Sequence, residues 1–254
     1  MVKLSVVIIT YNEEKNIGRC IASVKEVADE ILVIDSSSTD HTVAVATSMG
    51  ARVIDNAFTG YGEQKNFATK NATYDWVLSL DADEELSPEL TASICRVKEE
   101  QLFAVYEMPR FTNYCGQWIK HSGWYPDRQT RLYDRTKGKW IEKKVHEYWD
   151  LTAGGKKGLL KGDLLHYSYG SISEHLNKIE KYSELAALDA VAKGKTSTIL
   201  TILFSPFWHF VNEYFFKLGF LDGFYGYMIC KLSAYATFNK YTRIRTYSKA
   251  KNKA

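Results

Sequence analysis

The feature that most restricts the fold is an alternation repeated through the first hundred residues. Val6-Val7-Ile8-Ile9 is a continuous β-branched run, the pattern of a strand buried on both faces. Ile17, Cys20, Ile21, Val24 and Ala28 then recur at helical spacing. Asn12 suits the cap of that helix, and Glu13-Glu14 suit its positive end. Glu30 to Ile34 reads as a second strand and Arg52-Val53-Ile54 as a third. Between them, Thr42 to Met49 reads as a helix closed by Gly50. This β-α-β-α-β order predicts an α/β fold, a mostly parallel sheet with helices on both faces. Ligands of such sheets sit beyond the carboxyl ends of the strands. Thr10, Glu13, Asp35, Asp81 and Asp83 all fall there.

The apolar run Trp76-Val77-Leu78-Ser79-Leu80 ends in Asp81-Ala82-Asp83. Two carboxylates one residue apart build a core poorly. Side chains at i and i+2 of an extended segment point the same way, so both can face one cation. Mg²⁺ and Mn²⁺ prefer such oxygens and keep substrate phosphates in their shell.

Four motifs occur in order: Ser5-Val-Val-Ile-Ile-Thr-Tyr-Asn-Glu-Glu, Ile34-Asp35-Ser36-x-Ser38-Thr39-Asp40, Gly62-x-x-Lys65-Asn66-x-Ala68, and Leu80-Asp-Ala-Asp-Glu-Glu. With them the first half of the chain resembles the family 2 glycosyltransferases. The resemblance implies a GT-A fold, a nucleotide-sugar donor, a Mn²⁺ or Mg²⁺ ion, and inversion at the anomeric carbon. Pro126-Asp-Arg-Gln-Thr-Arg-Leu-Tyr, Val145-His-Glu and Leu165-His-Tyr look like the subgroup that adds a hexose to the inner core of lipopolysaccharide. That subgroup implies a UDP-hexose, with glucose the first choice, and a lipid-linked glycan acceptor. A polyprenyl-phosphate acceptor is the alternative within the enzyme class. A non-catalytic nucleotide-sugar or membrane-binding module is the alternative outside it.

The resemblance assigns roles residue by residue. Asp83 is the first metal ligand, and Asp81 touches the ribose or the ion through water. His166 is a third ligand or a structural residue. Asp35 accepts from the base, or forms an Asx turn, and the two roles are compatible. Thr10, Tyr11 and Glu13 line the base and ribose. Lys65 and Asn66 face the nucleotide or its diphosphate; standing alone, they would read as surface. Arg128 and Arg131 carry guanidinium groups that bind phosphate oxygens bidentately, and Arg131 is the preferred clamp. The other reading is an ion pair with Asp127 or Asp134. Inversion needs a base within reach of the acceptor hydroxyl. Glu147 is the candidate, Asp127 the alternative, and His146 a residue that orients Glu147 or packs. Trp118, Trp124, Tyr125 and Trp140 are candidates to stack on sugar faces.

At 254 residues the chain can bury a sizeable core. Its formal charge of +3 is too balanced for a dedicated nucleic-acid binder. Cys20, Cys95, Cys115 and Cys230 show no metal or disulfide spacing, so a reducing cytosol is expected. The first apolar run is short and leads into Asn12-Glu13-Glu14, unlike a signal peptide. Residues 1–170 are expected to form the catalytic domain, with an acceptor region at about 111–149. Residues 171–254 should form a helical extension opened by the capping box Ser171-Ile-Ser-Glu174. Its aromatic run 199–229 precedes Lys231, Lys240, Arg243, Arg245, Lys249, Lys251 and Lys253, with no acid among those cations. Pro206, Asp222 and Lys231 interrupt any 20-residue span. An interfacial helix pair on an anionic membrane surface fits this pattern, at the inner face of the bacterial cytoplasmic membrane.

Overall fold

The computed structural model describes residues 1–143, 146–152 and 154–251, with the main chain alone for Glu142, Lys143, His146 and Lys251. Val145, Lys253 and the His146 side chain, all named above, therefore lie outside the described residues. Contacts divide the chain into two units, one of residues 1–111 and 127–167, the other of residues 112–126 and 168 onward.

The first unit opens with β1 (Leu4–Thr10), α1 (Ile17–Val24), β2 (Glu30–Asp35), α2 (Thr42–Ser48), β3 (Arg52–Asp55), α3 (Tyr61–Asn71) and β4 (Trp76–Asp81). The alternation read from the sequence is present. β1 pairs in parallel with β2 on one side and β4 on the other, and β2 pairs in parallel with β3. Register sets Thr10 beside Asp35, Asp35 beside Asp55, and Ile9 beside Asp81. Four neighbouring strands thus deliver polar side chains to one edge of the sheet.

The remaining elements of this unit are β5 (Glu84–Leu86), α4 (Pro88–Glu100), β6 (Val105–Tyr114), whose last residues enter the second unit, β8 (Asp127–Asp134), β9 (Gly138–Lys143), β10 (His146–Leu151), β11 (Gly158–Leu159) and β12 (Leu164–Tyr169). The two-residue β7 (Gln117–Trp118) lies in the second unit. The sheet runs β3-β2-β1-β4-β8-β6-β12-β5, and its second half is antiparallel where β8 meets β4 and β6, and where β12 meets β5. Those antiparallel registers put Asp127 opposite Arg110 and His166 opposite Glu84. β9 and β10 form a separate hairpin.

Alternate residues of β1 feed two cores. Val6 and Ile8 pack with Ile17, Ile21, Leu90 and Ile94 from α1 and α4. Val7 and Ile9 pack on the other face with Ala68 of α3 and with Trp140 and Trp149 of the hairpin. Burial of each such side chain contributes roughly 1.5–3 kcal/mol. Trp140, a candidate for sugar stacking, is 4 % exposed and belongs to this core. Its indole N–H donates to the Tyr133 hydroxyl at 2.9 Å.

Helix ends mostly follow their sequence signals. Ser87 caps α4 through Leu90 N–H, with Pro88 in the first turn. Gly50 follows α2 at φ 89°, the left-handed conformation that glycine tolerates. Asn12 differs from expectation: the cap position of α1 is Asn16, without a side-chain cap bond. Asn12 instead sits at φ 53°, and its amide oxygen accepts from Thr39 N–H at 2.8 Å. It ties together the two loops that follow β1 and β2.

The second unit contains α5 (Ile172–Ala192), α6 (Ile199–Val211), two short helical turns over 212–222, and α7 (Gly223–Lys251). Ser171 caps α5 by accepting from Glu174 N–H, and Glu174 reaches back to Gly170 N–H. Residues 112–126 group with these helices, whereas the sequence placed them with the catalytic half. Asp222 explains the attachment: its carboxylate accepts from the backbone N–H groups of Lys120 and His121. Tyr114 and Ile119 also pack with Ile229. Among the described residues, no helix is long and apolar enough to cross a membrane.

Candidate functional site

The carboxyl ends of β1, β2 and β3 carry a network of hydrogen-bonded loops. Asp35 is 2 % exposed, and its two carboxylate oxygens accept from Ser38 N–H at 2.7 Å and Ser38 Oγ at 2.6 Å. The bonded N–H is three residues on, one beyond the Asx turn read from the sequence, and Ser37 N–H goes to Asp55 instead, so Asp35 braces the loop as a side-chain bridge to Ser38. Ser37 bonds Asp55 through both N–H and Oγ at 3.0 Å. Gln64, fully buried on α3, donates to Ser36 Oγ at 3.0 Å and accepts from Asn56 at 2.7 Å. Thr10 Oγ1 is buried without a hydrogen-bond partner, while Tyr11 is 59 % exposed. Glu13 accepts from the Asn16 amide at 2.6 Å. Asp55 and Gln64 were not singled out from the sequence. Asp55 ends a short, partly exposed strand, and Gln64 sits on a helix without a clear apolar stripe.

Beside this network lies a cluster of ionised side chains around the end of β4. Lys65 is 1 % exposed and reaches Glu147 Oε1 at 2.6 Å and Asp81 Oδ1 at 3.6 Å. Arg131 is 2 % exposed and donates through Nη2 to Asp81 Oδ2 and Glu84 Oε1, both at 2.6 Å. Glu84, wholly buried, also accepts from Asp81 N–H at 3.0 Å. Arg110 lies 3.7 Å from Glu84 and binds Asp127 Oδ2 through two nitrogens at 2.9 and 2.6 Å. Each buried charge here is matched, as low-dielectric burial requires.

The electrostatics follow from this pairing. Burial alone would raise the Asp81 carboxyl, but Arg131, and then Lys65, hold it well below the usual carboxylate range. Burial likewise opposes ionisation of Glu147, and Lys65 outweighs it, so that carboxyl is also lowered. Arg131 is raised despite burial because Asp81 and Glu84 face it. Glu147 retains 25 % side-chain exposure and Asp81 28 %, so both stay open to a substrate.

β4 ends at Asp81, and Ala82-Asp83 form a turn. The i, i+2 argument from an extended segment therefore stops short of Asp83, and the two aspartates meet different partners. Asp83 Oδ2 lies 3.3 Å from His166 Nε2 across the β5–β12 register. Two ligands of one octahedral ion, each at about 2.1 Å, are about 3 Å apart, so this pair fits a shared Mg²⁺ or Mn²⁺. Asp81 Oδ1 accepts no hydrogen bond although it is buried, which leaves an oxygen able to take a metal-bound water. Five carboxylates in the cluster face three permanent cations, an excess of two negative charges that one divalent ion would balance. Among the described residues, no group of three or more His, Cys, Asp or Glu encloses a metal unaided. Small hard cations bound through one or two protein ligands complete their shell with phosphates and water.

The other expected residues divide. Asn66 spends its amide on the hairpin, donating to Trp140 C=O at 2.9 Å and accepting from Trp140 N–H at 3.0 Å. Arg128 is exposed, three residues from the buried Arg131. Arg131 pairs with Asp81 and Glu84, not with the Asp127 or Asp134 weighed from sequence. Asp127 has both oxygens engaged, by Arg110 and by Gln129 at 2.8 Å. Glu84 and Arg110 were missed. Their only sequence signal was Glu84 following Asp81-Ala-Asp, because their partners lie far along the chain.

The model of the family described as glycosyl transferase family 2 matches residues 5–164. An uncharacterized glycosyltransferase of Rickettsia typhi is 36 % identical over 98 % of this chain and 88 % of its own length. The lipopolysaccharide core biosynthesis glycosyltransferase LpsC of Rhizobium meliloti is 33 % identical over 84 % of this chain and 80 % of its own. Among solved structures, glucosyl-3-phosphoglycerate synthase of Mycobacterium tuberculosis, in complex with Mn²⁺ and UDP, aligns over 44 % of each chain at 26 % identity and a TM-score of 0.38. The matched segment begins in β1 and ends at the first residue of β12, so it includes Lys65, Asp81, Asp83, Glu84, Arg110, Asp127, Arg131 and Glu147 and stops two residues short of His166. This chain belongs to glycosyl transferase family 2 and is a glycosyltransferase.

Proposed function

We propose that this glycosyltransferase is an inverting, divalent-metal-dependent enzyme that moves a hexose, glucose from UDP-glucose being the first choice, onto a lipopolysaccharide-core or similar envelope glycan. The observation that carries the chemistry is Lys65, a buried ammonium contacting both Asp81 at the sheet edge and Glu147 from the later hairpin. It holds a partly exposed carboxylate beside the strand end where the donor is expected. The acceptor class rests on the similarity to LpsC over most of both chains.

Asp35, Thr10 and the loops behind them would hold the base and ribose. Asp83 and His166 would hold the cation, which when bound supplies Lewis-acid stabilisation of charge on the departing diphosphate. Arg131 fixes Asp81, and Glu84 in turn fixes Arg131. Glu147 takes the proton of the acceptor hydroxyl as that oxygen attacks the anomeric carbon. Lys65 keeps Glu147 ionised and aimed. The helices of the second unit support docking on an anionic membrane surface, where a lipid-linked acceptor resides.

The deciding experiment measures UDP release from UDP-glucose with Mn²⁺, using lipid A-core or polyprenyl phosphate as acceptor. Acceleration by lipid A-core alone supports the proposal. Acceleration by polyprenyl phosphate alone moves the acceptor to the alternative class, and no release under any condition supports a non-catalytic module. Asp83→Asn is expected to raise the Mn²⁺ concentration for half-maximal rate by at least about 10–100-fold, the cost of losing even a partner that only supports a ligand. An unchanged Mn²⁺ titration would remove Asp83 from the metal site.

A further inference from the structure

The three long helices of the second unit line an open groove of about 320 Å³. Ser183 and Ala186 of α5 and Ser233 and Ala236 of α7 are small, which leaves the space between the helices unfilled. Polar groups surround it: Lys178 and Tyr182 from α5, His209 from α6, and Thr237 and Lys240 from α7. Among the described residues, neither lysine pairs with a carboxylate. Lys178 Nζ donates to Ser168 C=O at 2.9 Å and lies 4.4 Å from the Tyr169 ring centroid. Lys240 lies 5.2 Å from the Tyr241 ring centroid.

The acids of these helices are committed elsewhere. On α5, Glu180 and Glu184 pair with Arg243, Asp189 with Lys193, and Glu174 caps the helix start. α6 and α7 contain no acidic residue. Glu213, between them, is turned inward onto His209 at 3.2 Å. The groove thus carries two lysines with hydroxyl neighbours and, among the described residues, no carboxylate partner, a charge pattern that suits an anion.

The outer face of α6 says where that anion comes from. Leu200, Leu203, Phe204, Phe207 and Trp208 are each 60–67 % exposed. The side of α6 facing the groove carries His209 instead. This helix turns its apolar face outward, the reverse of a helix on a soluble domain. Glu213 and Asp222, the acids from 199 to 238, are both buried, while Lys217 and Lys231 are exposed. An apolar face without carboxylates, beside exposed lysines, complements an anionic bilayer surface.

We propose that the groove between α5, α6 and α7 binds the phosphate of an anionic lipid headgroup through Lys178 and Lys240, with the outward face of α6 against the acyl chains. The proposal rests on the membrane-surface reading above and adds a headgroup site to it.

The test is co-sedimentation of the full chain with vesicles of dioleoylphosphatidylglycerol or dioleoylphosphatidylcholine. The wild type is expected to prefer the anionic vesicles about tenfold. Lys178→Gln with Lys240→Gln should erase that preference and leave binding to phosphatidylcholine unchanged. Lys217→Gln with Lys231→Gln removes the same charge outside the groove and should lower the preference less than about threefold. Phe207→Ser with Trp208→Ser should weaken binding to both vesicles. Circular dichroism and metal-dependent UDP-glucose hydrolysis report whether each variant is folded. If both lysine pairs lower the preference equally, the groove is not a site, and the membrane reading stands. If no vesicle binds the wild type, the membrane reading fails. Calorimetry with inorganic phosphate then separates the sources: saturable binding lost in Lys178→Gln/Lys240→Gln would replace the lipid by free phosphate, and its absence would remove the site.

Discussion

Glu147→Gln is expected to lower kcat for sugar transfer by about 10²–10⁴-fold, the usual contribution of a positioned general base, with the affinity for UDP-glucose nearly unchanged. Glutamine keeps the size of the side chain and can still meet Lys65 through its amide oxygen, so folding should survive. It cannot take the hydroxyl proton. The same geometry sets a pH dependence. Lys65 lowers the Glu147 carboxyl against the opposing effect of burial, so the base stays ionised into acid. Removing the ammonium, as in Lys65→Met, lets that carboxyl rise. The acid limb of the kcat/KM profile should then move to higher pH, and rate lost near pH 5–6 should return in alkali. An acid limb that stays in place would show that Glu147 is not the titrating base. Asp127 is the competing assignment, but Arg110 and Gln129 occupy both its oxygens. Asp127→Asn should therefore act on stability more than on the proton-transfer step.

The parallel half of the fold was legible because its signals are local. Val6 to Ile9, Glu30 to Ile34 and Trp76 to Leu80 are short apolar runs that end in polar residues, and each is a strand. Three of the family motifs sit at or just beyond those ends and the fourth lies on α3, so Asp35, Asp81, Asp83 and Lys65 were legible as positions. Their partners were not. Arg131 meets Asp81 from 50 residues away, and Lys65 meets Glu147 from 82 away. No periodicity reports such pairs, since they depend on how β8 and the hairpin close against the sheet. Without the family motif Lys65 would read as surface, since the residues around it on α3 form no apolar stripe, yet it is buried with its charge paired. Asp81 and Asp83 misled in another way. Strand alternation predicts a shared direction only while the strand continues, and here it stops at Asp81. In the second unit, composition announced the aromatic helices, but only the structure shows which side of α6 faces out.

Arg131→Met is expected to destabilise the protein by about 3–5 kcal/mol, the cost of breaking a buried ion pair from one side. For a chain of this length that is a fall in Tm of roughly 6–20 °C. The guanidinium is 2 % exposed and stands between Asp81 and Glu84, and Glu84 is itself shielded from water. Methionine fills much of the volume but leaves Glu84 charged, buried and dependent on Arg110 at 3.7 Å. Adding Glu84→Gln should restore a large part of the loss, because an amide tolerates burial better than an unmatched carboxylate. Acid sensitivity checks the same arrangement. Asp81 titrates below its unfolded value, so its ionisation stabilises the fold above the ordinary carboxylate range. That contribution is lost as pH falls towards the lowered value. In Arg131→Met the depression shrinks, so stability should be lower at neutral pH and decline less steeply in acid than in the wild type. Urea melts of both proteins between pH 3 and pH 7 measure this directly. Parallel curves, or a neutral-pH loss under about 1 kcal/mol, would mean that Arg131 is not the residue that holds Asp81 at the strand end, and its guanidinium would be available as the diphosphate clamp read from the sequence.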